Sequence, residues 1–501
     1  LKSTLEEKLS LSASAASNDH AFIRVQQESD LAKEAYRLTV TKEGACIYYS
    51  TETGLLWGIQ TLRQALEQAN FFTSGNSKYL PMVDIKDAPK YDWRGFHIDV
   101  VRHMFTVDYL KKVIDCLSFY KINKLHLHLT DDQGWRIEVK KYPLLTQEGS
   151  WRDFDEYDKR CVELSQQDYN YEIDPRFVRN GSQYGGHYTQ EEMKGLVSYA
   201  LERGIDIVPE IDMPGHFSAA IKVYPELSCT GEAGWGEEFS YPICPSRPEN
   251  YQFVQSIIDE MVEIFPSEYF HIGADETYLL GSCAQCSQVN KSRLFVDYIK
   301  AMCEVVKEMG KKPIIWADII LMHPEAVQEL PKDLIYVDWN YGWEPDRFGK
   351  LDNLLKLGVK MWGAASLRSA PDNTYLTQWM KHFNNLATFL PFARAHGYEG
   401  MIETSWSTSG TYGFHYDNGW EIISMQPIRQ VYPMSGFQLL IDAYCKAVNS
   451  SKAIHAETFI KEYAQQRYGL SEDEAQTFLN YFLLPQELVR HGKDAKGKPI
   501  E

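Results

Sequence analysis

Two adjacent acids, Asp275 and Glu276, are the residues whose type and spacing most directly suggest chemistry. They follow a short apolar run at 269–274, which is typical of a buried parallel strand. Paired carboxyl groups at a strand end are suited to general acid and base catalysis. Because consecutive strand residues point to opposite faces, both acids can serve one site only if the strand breaks into a loop between them. On these two residues alone, a solvated loop is the simpler interpretation.

Seven further strand-like runs also end in polar or aromatic side chains. The groups are Asp99, Arg102 and His103; Thr130, Asp131, Asp132, Gln133, Trp135 and Arg136; Glu210, Asp212 and His216; Trp316 and Asp318; Tyr336, Asp338 and Tyr341; Trp362; and Glu403 and Trp406. Aromatic faces cover the C–H faces of a sugar ring, and carboxylates and Arg bind its hydroxyl groups. Paired acids also hydrolyse glycosidic bonds. The set therefore predicts a sugar site.

The elements that must position these groups alternate between strands and helices. Strands are predicted at 95–100, 124–130, 206–211, 269–274, 313–317, 334–338, 359–363 and 400–405, and helices between them include 107–120, 190–203, 251–265, 294–309 and 379–396. This alternation predicts the α/β class and a (β/α)8 TIM barrel, whose active site lies at the C-terminal strand ends. The long insertion at 131–188 is expected to form a lid or a binding wall.

A small α+β domain is predicted before the barrel, at 1–89. It has strand patterns at 35–41, 46–50 and 80–85 and helical spacing of Leu residues from Leu55 to Leu66. The barrel is predicted at 90–450, and a C-terminal helical extension packed on the barrel at 451–501. No catalytic constellation is found in the N-terminal domain, so we expect it to have a packing role.

Composition narrows the classes of partner. The chain has 501 residues, of which 44% are hydrophobic, and its formal net charge is −18. An acidic chain is a poor match for nucleic acid or for an anionic membrane surface. No apolar run has transmembrane length. The sequence begins at Leu1 rather than Met, which is consistent with removal of a signal segment, and we expect an exported enzyme that is periplasmic, cell-surface or secreted.

Four of the nine cysteines have informative spacing. Cys283 and Cys286 form one CxxC motif without a second Cys or His pair at zinc spacing, so a local disulfide or two idle thiols is favoured over a metal site. Cys229 and Cys244 bracket a Gly-rich segment and could form a disulfide in an oxidising compartment. The pairing stays open at this point. We expect no metal ion and no cofactor.

Four motifs resemble those of the glycoside hydrolase family 20 β-N-acetylhexosaminidases. They are Trp-Arg-Gly through Arg-His-Met-Phe at 93–105, Asn-Lys-Leu-His through Gly-Trp-Arg at 123–136, Glu-Ile-Asp-Met-Pro-Gly-His at 210–216 and His-Ile-Gly-Ala-Asp-Glu at 271–276. They occur in family order on successive strand ends, and the resemblance covers residues 30 to 440. It implies a barrel preceded by a small α+β domain, and a substrate with a terminal N-acetylhexosamine.

The resemblance also implies a mechanism. Glu276 would protonate the leaving oxygen and then act as base on water, while the 2-acetamido group of the substrate is the nucleophile and forms an oxazolinium ion. Asp275 would accept the acetamido N–H and stabilise the developing positive charge. Asp131 and His216 would form a relay with Glu276, and Arg102 would bind sugar hydroxyls.

The remaining binding residues are implied with less complete agreement. Trp316, Trp362 and Trp406 resemble the aromatic walls of the family, Tyr336 its donor to the acetamido carbonyl, and Asp338 its hydroxyl ligand. The family commonly has Trp-x-Glu at the end of strand eight, whereas this chain has Trp-Ser-Thr at 406–408. The departure leaves open the preference between gluco and galacto sugars and the release of a disaccharide or of a 6-substituted sugar.

Two alternatives come from other classes. His126 and His128 form an HxH pattern on a predicted strand, as in metal-dependent amidohydrolase-type barrels. Those sites also need His at the ends of strands five and six, where this chain has Trp316 and Asp338, and packed His residues are the simpler interpretation. A barrel that binds carbohydrate without catalysis is the second alternative, although the acids, the relay and the Arg are all present.

Overall fold

A closed barrel of eight parallel strands forms the centre of the computed structural model, which describes residues 21–68, 73–74, 77–78, 80–154, 156–167, 172–231, 240–369, 379–407 and 434–490. The strands are Trp93–Asp99, Lys124–His128, Asp206–Met213, Tyr269–Gly273, Lys312–Trp316, Ile335–Trp339, Lys360–Arg368 and Gly400–Ser405. Each pairs with the next, and Gly400–Ser405 pairs with Trp93–Asp99 to close the ring. The predicted barrel is confirmed.

Eight helices follow the eight strands and cover the outside of the barrel. They are Val107–Phe119, Gln190–Leu201, Pro248–Val262, Lys291–Glu308, Asp318–Met322, Leu351–Leu355, Trp379–Ala395 and Met434–Asn449. The first begins where the Thr106 side chain accepts the Tyr109 N–H, and it buries Leu110, Val113 and Leu117 on one stripe.

Two apolar layers result from the alternation of side chains along each strand. One layer lies inside the barrel and includes Trp93, Val208, Ile314, Trp316, Ile335, Val337, Trp362 and Ile402. The other lies between the strands and the helices, and includes Phe96, Leu125, Ile272 and Tyr336. The layer to which a side chain belongs decides whether it can contribute to a site at the barrel mouth.

A four-stranded sheet and one helix precede the barrel. The strands lie in the order Ile23–Gln27, Gly44–Tyr49, Tyr36–Thr41 and Val83–Asp87, and the helix Glu52–Gln68 packs on them. The domain was expected, but its first strand was not. Arg94 at the start of the barrel forms an ion pair with Glu34 of this domain at 2.5 Å, in agreement with a structural role for Arg94.

The insertion after strand two has its own secondary structure. A three-stranded sheet is formed by Trp151–Asp153, Val178–Arg179 and Gln183–Gly185, and the helix Glu156–Ser165 lies between its first two strands in sequence. The insertion is held to the loop after strand one by Arg136, whose Nη2 donates to the Val101 carbonyl at 2.6 Å.

Two helices, Ala456–Tyr468 and Glu472–Arg490, follow the last barrel helix and pack on Trp379–Ala395. Trp379 stacks against Phe482 with ring centroids 4.3 Å apart. Residues 491–501 of the predicted extension lie outside the described residues. Across the part of the chain that the structure describes, no helix has both the length and the apolar character needed to cross a bilayer.

Candidate active site

The turn after strand four gives Asp275 and Glu276 their common position. The strand ends at Gly273, and Gly273, Ala274 and Glu276 have φ values of 68°, 75° and 47°. These left-handed conformations interrupt the alternation of the strand, as two neighbouring acids in one site require. Gly273 is also needed for space, because a Cβ there would lie 1.7 Å from Asp212 Oδ1. Ala274 and Glu276 are two of the six non-glycine residues with positive φ in the described part of the chain.

Asp275 and Glu276 have different environments. Asp275 is 8% exposed. Burial raises its pKa to about 6, opposed by the neighbouring His216 and reinforced by the charge of Glu276. The Glu276 side chain is 26% exposed. Its backbone N–H donates to Asp318 Oδ2 at 3.0 Å, which fixes the turn. One carboxyl is therefore enclosed and held, while the other faces the barrel mouth.

His216 lies between the acids and Asp131. Its Nδ1 is 3.0 Å from Asp131 Oδ1 and its Nε2 is 3.4 Å from Glu276 Oε2. Asp275 Oδ2 is 3.7 Å from the same Nε2. Burial disfavours the imidazolium, but the Asp131 and Asp275 carboxylates outweigh it and hold the pKa of His216 well above its usual value. The structure thus brings together the residues of the predicted relay.

Arg102 is bound mainly by protein groups. Its Nη2 is 2.7 Å from Asp131 Oδ2, its Nε donates to Gln133 at 2.7 Å and its Nη1 to Asp99 at 3.3 Å. These bonds leave one N–H on each terminal nitrogen for a ligand. The guanidinium also lies 5.6 Å from the ring centroid of Trp406, so the cation faces the aromatic wall of the site.

A buried polar cluster lies beneath the acids, and sequence analysis did not anticipate its role. Glu210 Oε2 is 2.6 Å from His128 Nδ1 and 2.9 Å from His126 Nε2, and Glu210 Oε1 accepts the Trp316 N–H at 2.7 Å. Burial opposes charge on both partners, yet their mutual attraction holds the pKa of Glu210 well below its usual value and raises that of His128 to about 10. The HxH pair is therefore engaged by a carboxylate. His128 Nε2 bonds to Asp131 Oδ2 at 2.7 Å and connects this cluster to the relay.

The aromatic walls differ in part from the prediction. Trp316 is buried inside the barrel, and Trp406 stands higher, where its indole N–H donates to the Tyr341 hydroxyl at 2.5 Å. Trp339 packs on Tyr341 with ring centroids 5.3 Å apart, and its N–H donates to Asp318 Oδ1 at 3.3 Å. Trp339 and Tyr341 are thus site residues that had no assigned role. The signal was available, because both have the strand parity of the inward-facing Val337.

The predicted roles of Tyr336 and Asp338 must be corrected. Their side chains alternate with that of the inward-facing Val337, so they point away from the barrel interior. Tyr336 is buried in the layer between strands and helices. Asp338 follows on the same strand face and accepts the Tyr398 hydroxyl at 2.5 Å, and burial raises its pKa to about 6. The predicted contacts of Tyr336 with the acetamido carbonyl and of Asp338 with a sugar hydroxyl are therefore wrong.

The predicted role of Trp362 must also be corrected, because Trp362 lies at the N-terminal end of the barrel strands, away from the site. Its ring is 4.0 Å from that of Trp93 and 5.7 Å from that of Tyr269, and both partners are the first residues of their strands. Strand seven continues to Arg368, five residues beyond its predicted end. Glu403 is buried on the outer side of its strand, where it interacts with Tyr444 of the last barrel helix, so it cannot replace the acid of Trp-x-Glu. Burial raises the pKa of Glu403 well above its usual value.

Known proteins match both the barrel and the domain that precedes it. The model of the glycosyl hydrolase family 20 catalytic domain matches residues 91–404, and that of family 20 domain 2 matches residues 1–88. A beta-hexosaminidase of Porphyromonas gingivalis is 36% identical over 322 residues, which are 61% of this chain and 38% of that protein. A beta-hexosaminidase of Akkermansia muciniphila is 35% identical over 308 residues, 58% of this chain and 57% of that protein.

A solved structure extends the match to most of the chain. The β-N-acetylhexosaminidase of Bacteroides fragilis has a TM-score of 0.67 and 25% identity, and the match covers 94% of this chain and 88% of that one. The chain spans less than two thirds of the length of the two relatives described above. On the strength of the catalytic-domain match, this chain belongs to glycosyl hydrolase family 20.

Proposed function

We propose that the chain is a retaining exo-β-N-acetylhexosaminidase that hydrolyses terminal β-linked N-acetylglucosamine or N-acetylgalactosamine from glycans. Family membership and the names of the relatives support this function. The observation that carries it is the unequal pair at the barrel mouth, where a buried Asp275 adjoins a more exposed Glu276 that lies 3.4 Å from His216. Two neighbouring acids with different surroundings suit two different tasks.

In the proposed first step, Glu276 donates its proton to the glycosidic oxygen. The carbonyl oxygen of the substrate's 2-acetamido group attacks the anomeric carbon as the bond to the leaving group breaks, and an oxazolinium ion forms. Asp275 accepts the acetamido N–H. Its carboxylate orients the nucleophile and stabilises the positive charge that spreads over the cyclised group.

In the second step, water attacks the anomeric carbon from the face that the leaving group has vacated, and Glu276 removes the proton of the water. Two inversions give net retention of the β configuration. His216 lies between Glu276 and Asp131, so it can adjust the charge around Glu276 as that residue loses and regains its proton. Arg102 has two N–H groups available for sugar hydroxyls, and Trp406 and Tyr341 form the adjacent wall.

The test compares three aryl glycosides that differ at one position of the sugar. The aryl N-acetyl-β-glucosaminide and its galacto epimer should turn over, whereas the 2-hydroxy β-glucoside should not, because it lacks the internal nucleophile. The relative rates of the first two also measure the gluco or galacto preference that the Trp-Ser-Thr departure leaves open. Equal turnover of the 2-hydroxy glucoside, or a trapped glycosyl ester on a protein side chain, would refute the mechanism.

A Glu276→Gln variant is the matched control, since it keeps the shape of the side chain and removes its proton. It should lose activity on glycosides with poor leaving groups and keep more of it on an activated dinitrophenyl glycoside, which does not need protonation. The cellular location stays a prediction.

A further inference from the structure

Four cysteine sulfurs converge outside the catalytic site. Cys229 and Cys244 lie in the loop after strand three, and Cys283 and Cys286 in the loop after strand four. Cys244 Sγ is 3.7 Å from Cys286 Sγ and 3.9 Å from Cys283 Sγ, and Cys229 Sγ is 3.8 Å from Cys286 Sγ. All four sulfurs lie within 4.8 Å of one another.

These separations have the size that a metal-centred tetrahedron requires. A zinc–thiolate bond is about 2.3 Å long, and the edge of a tetrahedron with that radius is about 3.8 Å. A disulfide would bring two sulfurs to about 2.0 Å, far shorter than the three separations. Thiols that merely fill space have no reason to converge in fours, because each is only a weak hydrogen-bond donor and acceptor.

The surroundings of the sulfurs suit thiolate ligands. The Cys286 N–H donates to Cys283 Sγ at 3.4 Å, and the Ser287 N–H closes the turn on the Cys283 carbonyl at 2.9 Å. The Ser246 hydroxyl lies 3.0 Å from Cys286 Sγ. The Ser246 hydroxyl accepts the Cys286 thiol proton, and it would donate to the same sulfur once that thiol is ionised. A backbone N–H and a hydroxyl placed in this way orient metal-bound thiolates and stabilise their charge.

We propose that Cys229, Cys244, Cys283 and Cys286 bind one Zn²⁺ ion as a closed tetrathiolate site. Four protein ligands fill the tetrahedral coordination of zinc and leave no position for water or substrate, so the ion has a structural role. Tetrahedral sulfur ligation also suits iron. Zinc is chosen because a site that only fixes two loops needs no redox chemistry.

The ion ties together the two loops that carry the relay and the acids. On the first loop, the Ser240 N–H donates to Asp132 Oδ2 at 2.9 Å and the Ser240 hydroxyl accepts the His216 N–H at 3.2 Å. On the second, Cys283 follows Glu276 by seven residues. The four cysteines are therefore positioning residues, which set the separation between His216 and Glu276 without touching substrate.

The fold, rather than the sequence, reveals the set. Cys283 and Cys286 have zinc-like spacing, but Cys229 and Cys244 are fifteen residues apart and do not form a recognisable second pair. This proposal would replace two expectations from the sequence: a local disulfide or idle thiols at these positions, and the absence of a metal ion.

The experiment measures bound metal in the full chain, purified without chelator or added metal. Elemental analysis should find one zinc per chain in the wild type and in Cys116→Ser, which changes a thiol on the helix Val107–Phe119, away from the cluster. Cys283→Ser should lose the zinc. Protein expressed in cobalt medium should show thiolate-to-cobalt charge-transfer absorption and the red-region bands of tetrahedral cobalt, and Cys283→Ser should not.

Each contrary result is distinct. Nine free thiols without stoichiometric metal, a mass deficit of two hydrogens for each disulfide among these cysteines, or bound iron would overturn the zinc site. If Cys283→Ser does not fold, the zinc count and cobalt spectrum of the wild type decide the question. In the folded protein, removal of zinc should lower Tm and kcat with a smaller change in KM, and added Zn²⁺ should restore them.

Discussion

Replacement of Asp275 by Asn should make the protein more stable and far less active. Burial raises the pKa of Asp275 from 3.8 to about 6. At about 1.4 kcal/mol per unit, this difference destabilises the carboxylate in the folded protein by about 3 kcal/mol. Since the folded state holds the proton more tightly than the unfolded state, this destabilisation is absent below about pH 4 and complete above about pH 6.

The amide of an Asn side chain carries no charge at any of these pH values. Asp275→Asn should therefore raise the free energy of unfolding at pH 7 by up to about 3 kcal/mol and should flatten its decline between pH 4 and pH 6. The same change removes the carboxylate that faces the developing positive charge, and losses of about 100- to 1,000-fold in kcat are typical when one preorganised electrostatic contact is lost.

Two assays check the two effects. Urea unfolding at pH 4, 5, 6 and 7 gives the stability difference, with Asp259→Asn at an exposed helix position as the matched control. The pH profile of kcat/KM on an aryl N-acetyl-β-glucosaminide reports groups of the free enzyme. The wild type should show an acid limb near pH 6 that the variant lacks. Full activity in the variant, or the same limb in both proteins, would refute the assignment of Asp275.

Four further substitutions test the geometry. Tyr341→Phe removes the acceptor of the Trp406 N–H and should lower kcat/KM by about 3- to 10-fold, whereas Tyr336→Phe on the outer side should leave steady-state kinetics unchanged; the reverse order would contradict the parity argument. Gly273→Ala should lower Tm and kcat, since φ is 68° and the methyl group meets a carboxylate, and a variant as stable as the wild type would speak against it. His216→Ala should reduce kcat by about 100-fold and shift the pH profile of kcat/KM, and an unshifted profile would remove His216 from the relay.

The barrel could be predicted because its strands are apolar runs that end in recognisable polar motifs. The prediction failed where small residues made the end of a strand hard to recognise. Strand seven is predicted to end at Gly363, but it continues through Ala364 and Ala365 to Arg368, so Trp362 was assigned to the wrong end of the barrel. The strand Ile23–Gln27 was missed because it is an edge strand whose side chains are mostly exposed.

The candidate site was predictable where adjacent residues carry the signal, and less so where the fold supplies it. Asp275, Glu276, His216 and Asp131 stand in motifs that single them out. Glu210 has no local feature to show that its carboxylate contacts His126, His128 and Trp316, three side chains from two other strands. Contacts of this kind between residues of different strands cannot be recognised from the spacing of residues in the sequence.

Asp131 connects the buried polar cluster around Glu210 to the proposed relay. It accepts bonds from Arg102, from His128 and from His216, so the same carboxylate belongs to the buried interior and to the proposed relay. A substitution chosen only to stabilise the interior around Glu210 would therefore also change the electrostatic environment of Glu276. Stabilising substitutions should therefore be sought in the outer helices rather than in the barrel interior.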